Sequence, residues 1–101
     1  MANTVTVEPS TTVEIYYKDT PIIPESEPTI KVTNNGPASV TVKNYWGAPF
    51  MIGGWHELDT VQISAGENKG ISGGGRSYYH YKVEVTNYTS DASATLEVDW
   101  D

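Results

Sequence analysis

The chain has 101 residues, enough for one domain and too few for two that each bury a core. It has no cysteine, which excludes a disulfide scaffold, a thiolate metal site and a cysteine nucleophile. Thirteen acidic residues against six basic ones give a formal charge of −7, so no basic footprint for a nucleic acid can be assembled.

No apolar run approaches the ~20 residues of a membrane span. Met1-Ala2-Asn3-Thr4 lacks the charged and apolar regions of a signal peptide, so the expectation is a soluble protein, cytoplasmic or exported without one. The pattern that dominates the chain is apolar–polar alternation with period two, the mark of a strand with one buried face. In chain order, Val5 and Val7 alternate with Thr4, Thr6 and Glu8, and a turn follows at Pro9-Ser10. Val13, Ile15 and Tyr17 then alternate with Thr12, Glu14 and Tyr16. Residues 19–28 carry three prolines beside Ile22 and Ile23 and read as an extended surface loop. Ile30 and Val32 lead to an Asn34-Asn35-Gly36-Pro37 turn, and Val40 and Val42 start the next strand. Residues 47–59 read as a long apolar loop, Val61 and Ile63 as a short strand, and residues 66–77, with five glycines, as a second loop. The longest alternation places Tyr79, Tyr81, Val83 and Val85 on one face and Tyr78, His80, Lys82 and Glu84 on the other. Ala94, Leu96, Val98 and Trp100 close the chain opposite Thr95, Glu97 and Asp99.

Valine, threonine and tyrosine favour strands, and no segment shows the apolar spacing of an amphipathic helix. The fold expected is all-β, a single antiparallel β-sandwich domain over residues 1–101 with seven to nine strands. A weak internal repeat suggests two similar halves. Val7 and Ile63 lie 56 residues apart, the Val-Thr-Asn ends at Asn34 and Asn87 are 53 apart, and Trp46 and Trp100 are 54 apart.

Catalytic signatures are nearly absent. No serine sits in a nucleophile-elbow pattern, the glycine-rich loop lacks the ending of a phosphate cradle, and no helix follows it. His56, Glu57 and Asp59 hold metal-ligating groups within four residues, a signal too weak to assign a metal, and no cofactor is expected. Acidic loops would tolerate calcium, but no spaced carboxylate loop demands it. His80 falls on a polar strand face and reads as solvated. Arg76 is the only arginine; with thirteen acids available, an internal carboxylate is a more expected partner than a ligand's carboxylate or phosphate.

Aromatics are the most informative residues: one Phe, seven Tyr and three Trp make 11% of the chain. Parity sends Tyr17, Tyr79, Tyr81, Trp46 and Trp100 inward, and Tyr16, Tyr45, Tyr78 and Tyr88 outward. Trp55 falls in the apolar loop with Phe50, Met51 and Ile52. Exposed aromatic faces beside polar groups stack on sugar rings or sit at a lipid interface, and exposed apolar patches on small domains mark contact sites.

The segments Ile30 to Asn35, Val40 to Gly47, Val61 to Gly66 and Gly75-Arg76-Ser77 resemble, in order, the layout of the aegerolysins. That resemblance implies a small acidic β-sandwich that recognises membrane lipids. The leading expectation is a non-catalytic, lectin-like module for glycans or glycolipids. Tyr45, Trp55 and Tyr78 would stack on the ligand, and His56, Glu57, Asp59 and Arg76 would hydrogen-bond its hydroxyls. One alternative is an aegerolysin-like lipid binder touching the bilayer peripherally through Phe50, Met51, Ile52 and Trp55. The other is a structural module forming a homo-oligomer through an exposed strand edge.

Overall fold

A computed structural model describes residues 2–20 and 22–100. Ten strands lie among them: β1 (Ala2–Val7), β2 (Thr11–Asp19), β3 (Glu25–Ser26), β4 (Ile30–Pro37), β5 (Val40–Gly47), β6 (Trp55–Ile63), β7 (Asn68–Ile71), β8 (Ser77–Tyr78), β9 (His80–Asn87) and β10 (Ala94–Asp99). Eight of them form two four-stranded antiparallel sheets, ordered β1-β10-β4-β7 and β2-β9-β5-β6, while β3 and β8 pair as a small ribbon. The architecture is the expected sandwich.

The alternating residues fill the space between the sheets. Val7, Ile30, Val32, Leu96 and Val98 from the first sheet meet Val40, Val42, Ile63, Tyr81, Val83 and Val85 from the second, all fully buried. Each such aliphatic side chain stabilises the fold by about 1.5–3 kcal/mol relative to exposure. No helix among the described residues is long and apolar enough to cross a membrane.

The internal repeat is a real symmetry of the fold. Exchanging β1 with β6, β2 with β7, β4 with β9 and β5 with β10 maps the order of one sheet onto the other. Equivalent asparagines close equivalent turns. Asn34, between β4 and β5, donates to the carbonyls of Ala38 and Ile63 and accepts the Gly36 N–H. Asn87, between β9 and β10, donates to the carbonyls of Val7 and Ala92 and accepts the Thr89 N–H. Val7 and Ile63 are the pair the 56-residue spacing relates.

Three expectations change. Residues 55–59 are not loop: β6 starts at Trp55 and pairs with β5 along its whole length, leaving only residues 48–54, with a 3₁₀ turn at Pro49–Met51, as the connection. Residues 68–71 form an edge strand paired to β4, although three of the four are exposed and carry no apolar alternation to announce it. Parity also fails in two places. A bulge in β2 sets Tyr16 opposite Val83 and Tyr17 opposite Lys82, so Tyr16 turns inward and Tyr17 outward. A bend at Tyr79 separates β8 from β9, so Tyr78 is buried and Tyr79 only partly so.

Candidate functional site

The candidate residues surround one end of the second sheet, where β5 ends, β6 begins and β9 begins. There Trp46 pairs with Tyr81 on one side and His56 on the other, and Gly47 pairs with His80 and Trp55. Alternation puts Trp46 and His56 on the core side of the sheet and Tyr45, Trp55 and Lys82 on the outer side. The two sides carry separate aromatic clusters.

On the core side a ladder of rings climbs from the interior to solvent. Tyr81, fully buried, stacks on Tyr78 with centroids 5.6 Å apart; Tyr78 lies 6.5 Å from Trp46; and Trp46 stacks on exposed His56 at 4.5 Å. Polar atoms lock the ladder. Asn44, fully buried, donates to the Tyr81 hydroxyl and the Ser72 carbonyl, and the Tyr78 hydroxyl donates to the Gly73 carbonyl. Burial raises the Tyr81 hydroxyl pKa above its ordinary value, so it stays a neutral phenol. Gly73 is needed for close approach, since a Cβ there would stand 2.8 Å from the Tyr78 ring.

Where the ladder reaches the surface it opens a cleft of about 330 Å³. The cleft is lined by Trp46, Gly47, Ala48 and Pro49 at the end of β5, by Leu58 of β6, and by Arg76, Ser77, Tyr78 and Tyr79 around β8. Leu58 is available because β6 bulges there: Asn44 faces Asp59 and Tyr45 faces Glu57, which leaves Leu58 over. A second hollow of about 400 Å³ adjoins across Leu58, Arg76 and Tyr78 and reaches Asp59 and Gly73. Arg76 stands between the two. A third hollow, of about 310 Å³, lies over Lys31, Thr33 and Glu97 on the first sheet and has no aromatic wall.

On the outer side, Lys82 Nζ sits 4.6 Å from the Trp55 ring centroid and 5.1 Å from that of Tyr45, with Glu84 at 3.2 Å. Tyr17 meets Trp55 edge-on at 6.2 Å. The cation therefore occupies the ring faces that a sugar would need. Burial, then the nearby Glu84 carboxylate, raises the Tyr45 hydroxyl pKa. Beneath this cluster lies His80, which is not the solvated side chain the strand pattern implied: it is only 7% exposed. Trp55 covers it edge-on, and Met51 reaches the same corner beside Gly47. Its Nδ1 is 3.1 Å from Asp19 Oδ1, but off the line a hydrogen bond requires, and neither ring nitrogen has a hydrogen-bond partner among the described residues.

The expected site residues thus divide. His56, Asp59, Arg76 and Tyr78 border the ladder and its hollows, whereas Tyr45, Trp55 and Glu57 lie on the opposite face. Tyr78 lines the cleft with a buried ring rather than an outward one. Glu57 accepts the Thr60 hydroxyl proton, and Asp59 accepts the Thr60 N–H. No group of three histidine, aspartate or glutamate side chains among the described residues could hold a metal ion. Of the bilayer-contact set, Phe50 and Ile52 are strongly exposed, Met51 packs beside Gly47 and His80, and Trp55 is engaged with Lys82. Arg76 has no ion pair or hydrogen bond among the described residues, contrary to the expectation of an internal acid. Sequence reasoning missed Trp46, Leu58, Ser77 and Tyr79. Trp46 was assigned inward correctly, but nothing in the alternation tells where an inner face emerges from the sandwich.

The sequence matches the family model described as PirA-like over residues 1–97. The chain superposes on a solved structure, the crystal structure of PirA, with a TM-score of 0.91 and 29% identity, covering 99% of this chain and 93% of that one. No curated protein matches it in sequence. These findings overturn the aegerolysin resemblance. Its main segments are strands flanking the Asn34 turn, and the same device recurs at Asn87 within this chain, so it marks a way of closing a hairpin rather than a lineage.

Proposed function

The chain belongs to the PirA-like family, and from that premise we propose that it is a non-catalytic recognition module for glycans or glycolipids. The likeness runs the length of the sandwich, so the surface that acts is sought on the sandwich itself. One observation supports the reading above others: a cleft lined by Trp46 and Tyr78 together with the Arg76 guanidinium, which has no ion pair among the described residues. Sugar rings present apolar C–H faces and polar edges, and that pairing of flat aromatic wall and hydrogen-bond donors suits both. The outer cluster suits them less, because Lys82 already covers Trp55 and Tyr45.

A panel of mono- and oligosaccharides titrated against the protein and two variants tests this. Trp46→Leu weakens binding by about tenfold or more, the usual loss at an aromatic anchor, while Trp55→Leu leaves it in place. Far-UV circular dichroism establishes that both variants fold. Binding lost only in Trp55→Leu would move the site to the outer face, and no binding to any sugar would overturn the reading.

The exposed loop tips favour the glycolipid form of this reading. Phe50 and Ile52, 82% and 73% exposed, follow directly on Pro49 in the cleft wall. A headgroup seated in the cleft would bring these side chains to the bilayer that carries it. Phe50→Ser with Ile52→Ser then weakens binding to glycolipid vesicles and leaves binding to the free headgroup sugar as it was. Equal binding of both forms would leave the free glycan as the ligand.

A further inference from the structure

Arg76 is the one arginine of a chain with thirteen acids. Four of the five lysines sit within 4.0 Å of a carboxylate: Lys18 with Glu25, Lys43 with Glu57, Lys69 with Glu67 and Lys82 with Glu84. Arg76, among the described residues, has no such partner. It is exposed, lines the cleft, and stands between two glycines at positive φ, Gly74 and Gly75, and the start of β8 at Ser77. A charge in a cleft lining with no carboxylate beside it among the described residues is the arrangement expected of a group waiting for an anion.

The surroundings narrow the anion. The described residues lining the cleft include no acid, and Trp46, Pro49, Leu58 and Tyr78 supply apolar and aromatic surface beside the guanidinium. The nearest carboxylate in the adjoining hollow, Asp59, already accepts the Thr60 N–H. Guanidinium presents a planar fork that matches a carboxylate in bidentate fashion, and the match strengthens where water is partly excluded. The molecular charge of −7 opposes an anion at long range. That opposition is screened beyond about 8 Å at physiological ionic strength, so the local guanidinium decides the outcome.

Building on the glycan reading, we propose that the cleft takes a sugar carrying a carboxylate. The carboxylate binds Arg76 through two parallel N–H···O bonds, and the apolar face of the ring packs on Trp46. A hexuronate or a sialic acid has this chemistry; a neutral hexose lacks the charge.

The test is calorimetric or NMR titration with glucuronate, galacturonate and N-acetylneuraminate, alongside glucose and galactose, for the protein, Arg76→Gln and Arg76→Lys. Arg76 is exposed and has no partner among the described residues, so both variants keep the fold. The acidic sugars are expected to bind about tenfold or more tightly than the neutral parents, as a charge-assisted pair supplies. Arg76→Gln removes that preference, Arg76→Lys keeps part of it, and added salt reduces it. Equal binding of acidic and neutral sugars, or a preference that survives in Arg76→Gln, overturns this inference and leaves the glycan reading standing. A sulfated sugar that binds where the carboxylates do not also overturns it. If no sugar binds at all, the glycan reading itself fails.

Discussion

Two buried asparagines close equivalent turns in the two halves of the fold. Asn34 and Asn87 are both fully buried, and each donates to two carbonyls and accepts one backbone N–H. Truncating either to alanine removes three hydrogen bonds to the backbone, at a cost of about 2–4 kcal/mol. Urea denaturation should give losses of similar size for Asn34→Ala and Asn87→Ala, since the two sites are equivalent. Glu27 gives an opposite case. Burial raises its carboxyl pKa above the ordinary 4.5, even though it accepts the Tyr16 hydroxyl proton at 2.9 Å. A raised carboxyl holds its proton more tightly folded than unfolded, so its contribution to stability falls as pH rises from 4.5 through the folded value. Glu27→Gln should therefore melt higher than the parent near neutral pH, with the difference vanishing below pH 4.5, because glutamine can still accept from Tyr16. The Val-Thr-Asn pattern made the asparagine turns legible. The burial of His80 was not, because a histidine between polar neighbours looks solvated until a loop folds over it.

At the level of elements, alternation located the strands that contribute valines to the core and missed those that do not. β7 exposes Asn68, Lys69 and Gly70, so its partner β4 rather than its own pattern defines it. Bulges explain the errors of facing. One extra residue in β2 exchanges Tyr16 with Tyr17, and one extra residue in β6 lifts Leu58 into the cleft, and no composition rule announces either. The glycine run before β8 allows a sharp corner, with Gly74 and Gly75 at positive φ. Gly73 has a second role, making room for the Tyr78 ring. Gly73→Ala should cost about 1–3 kcal/mol by overpacking and should displace Tyr78, visible as altered near-ultraviolet dichroism. An unchanged signal and melting temperature would show that the ring does not depend on that contact.

Across the whole molecule, two topologically equivalent halves differ in their surroundings. The pseudo-twofold relates Trp46 to Trp100, yet their surroundings diverge. Trp100 packs edge-on against Tyr16 at 5.2 Å, and Trp46 opens onto His56 and the cleft. The sandwich and its repeat were readable from spacing alone. The candidate site was readable only in its residue types, since four of the seven residues expected to converge border the core-side ladder and its hollows and three lie on the outer face of the second sheet. Titration with sugars, followed through the three tryptophan indole N–H resonances in a ¹⁵N-edited NMR spectrum, separates those faces in a single experiment. A saturable shift of Trp46, with Trp55 and Trp100 unmoved, is the result expected for a ligand in the cleft. A shift confined to Trp55, or none in any of the three, would contradict it.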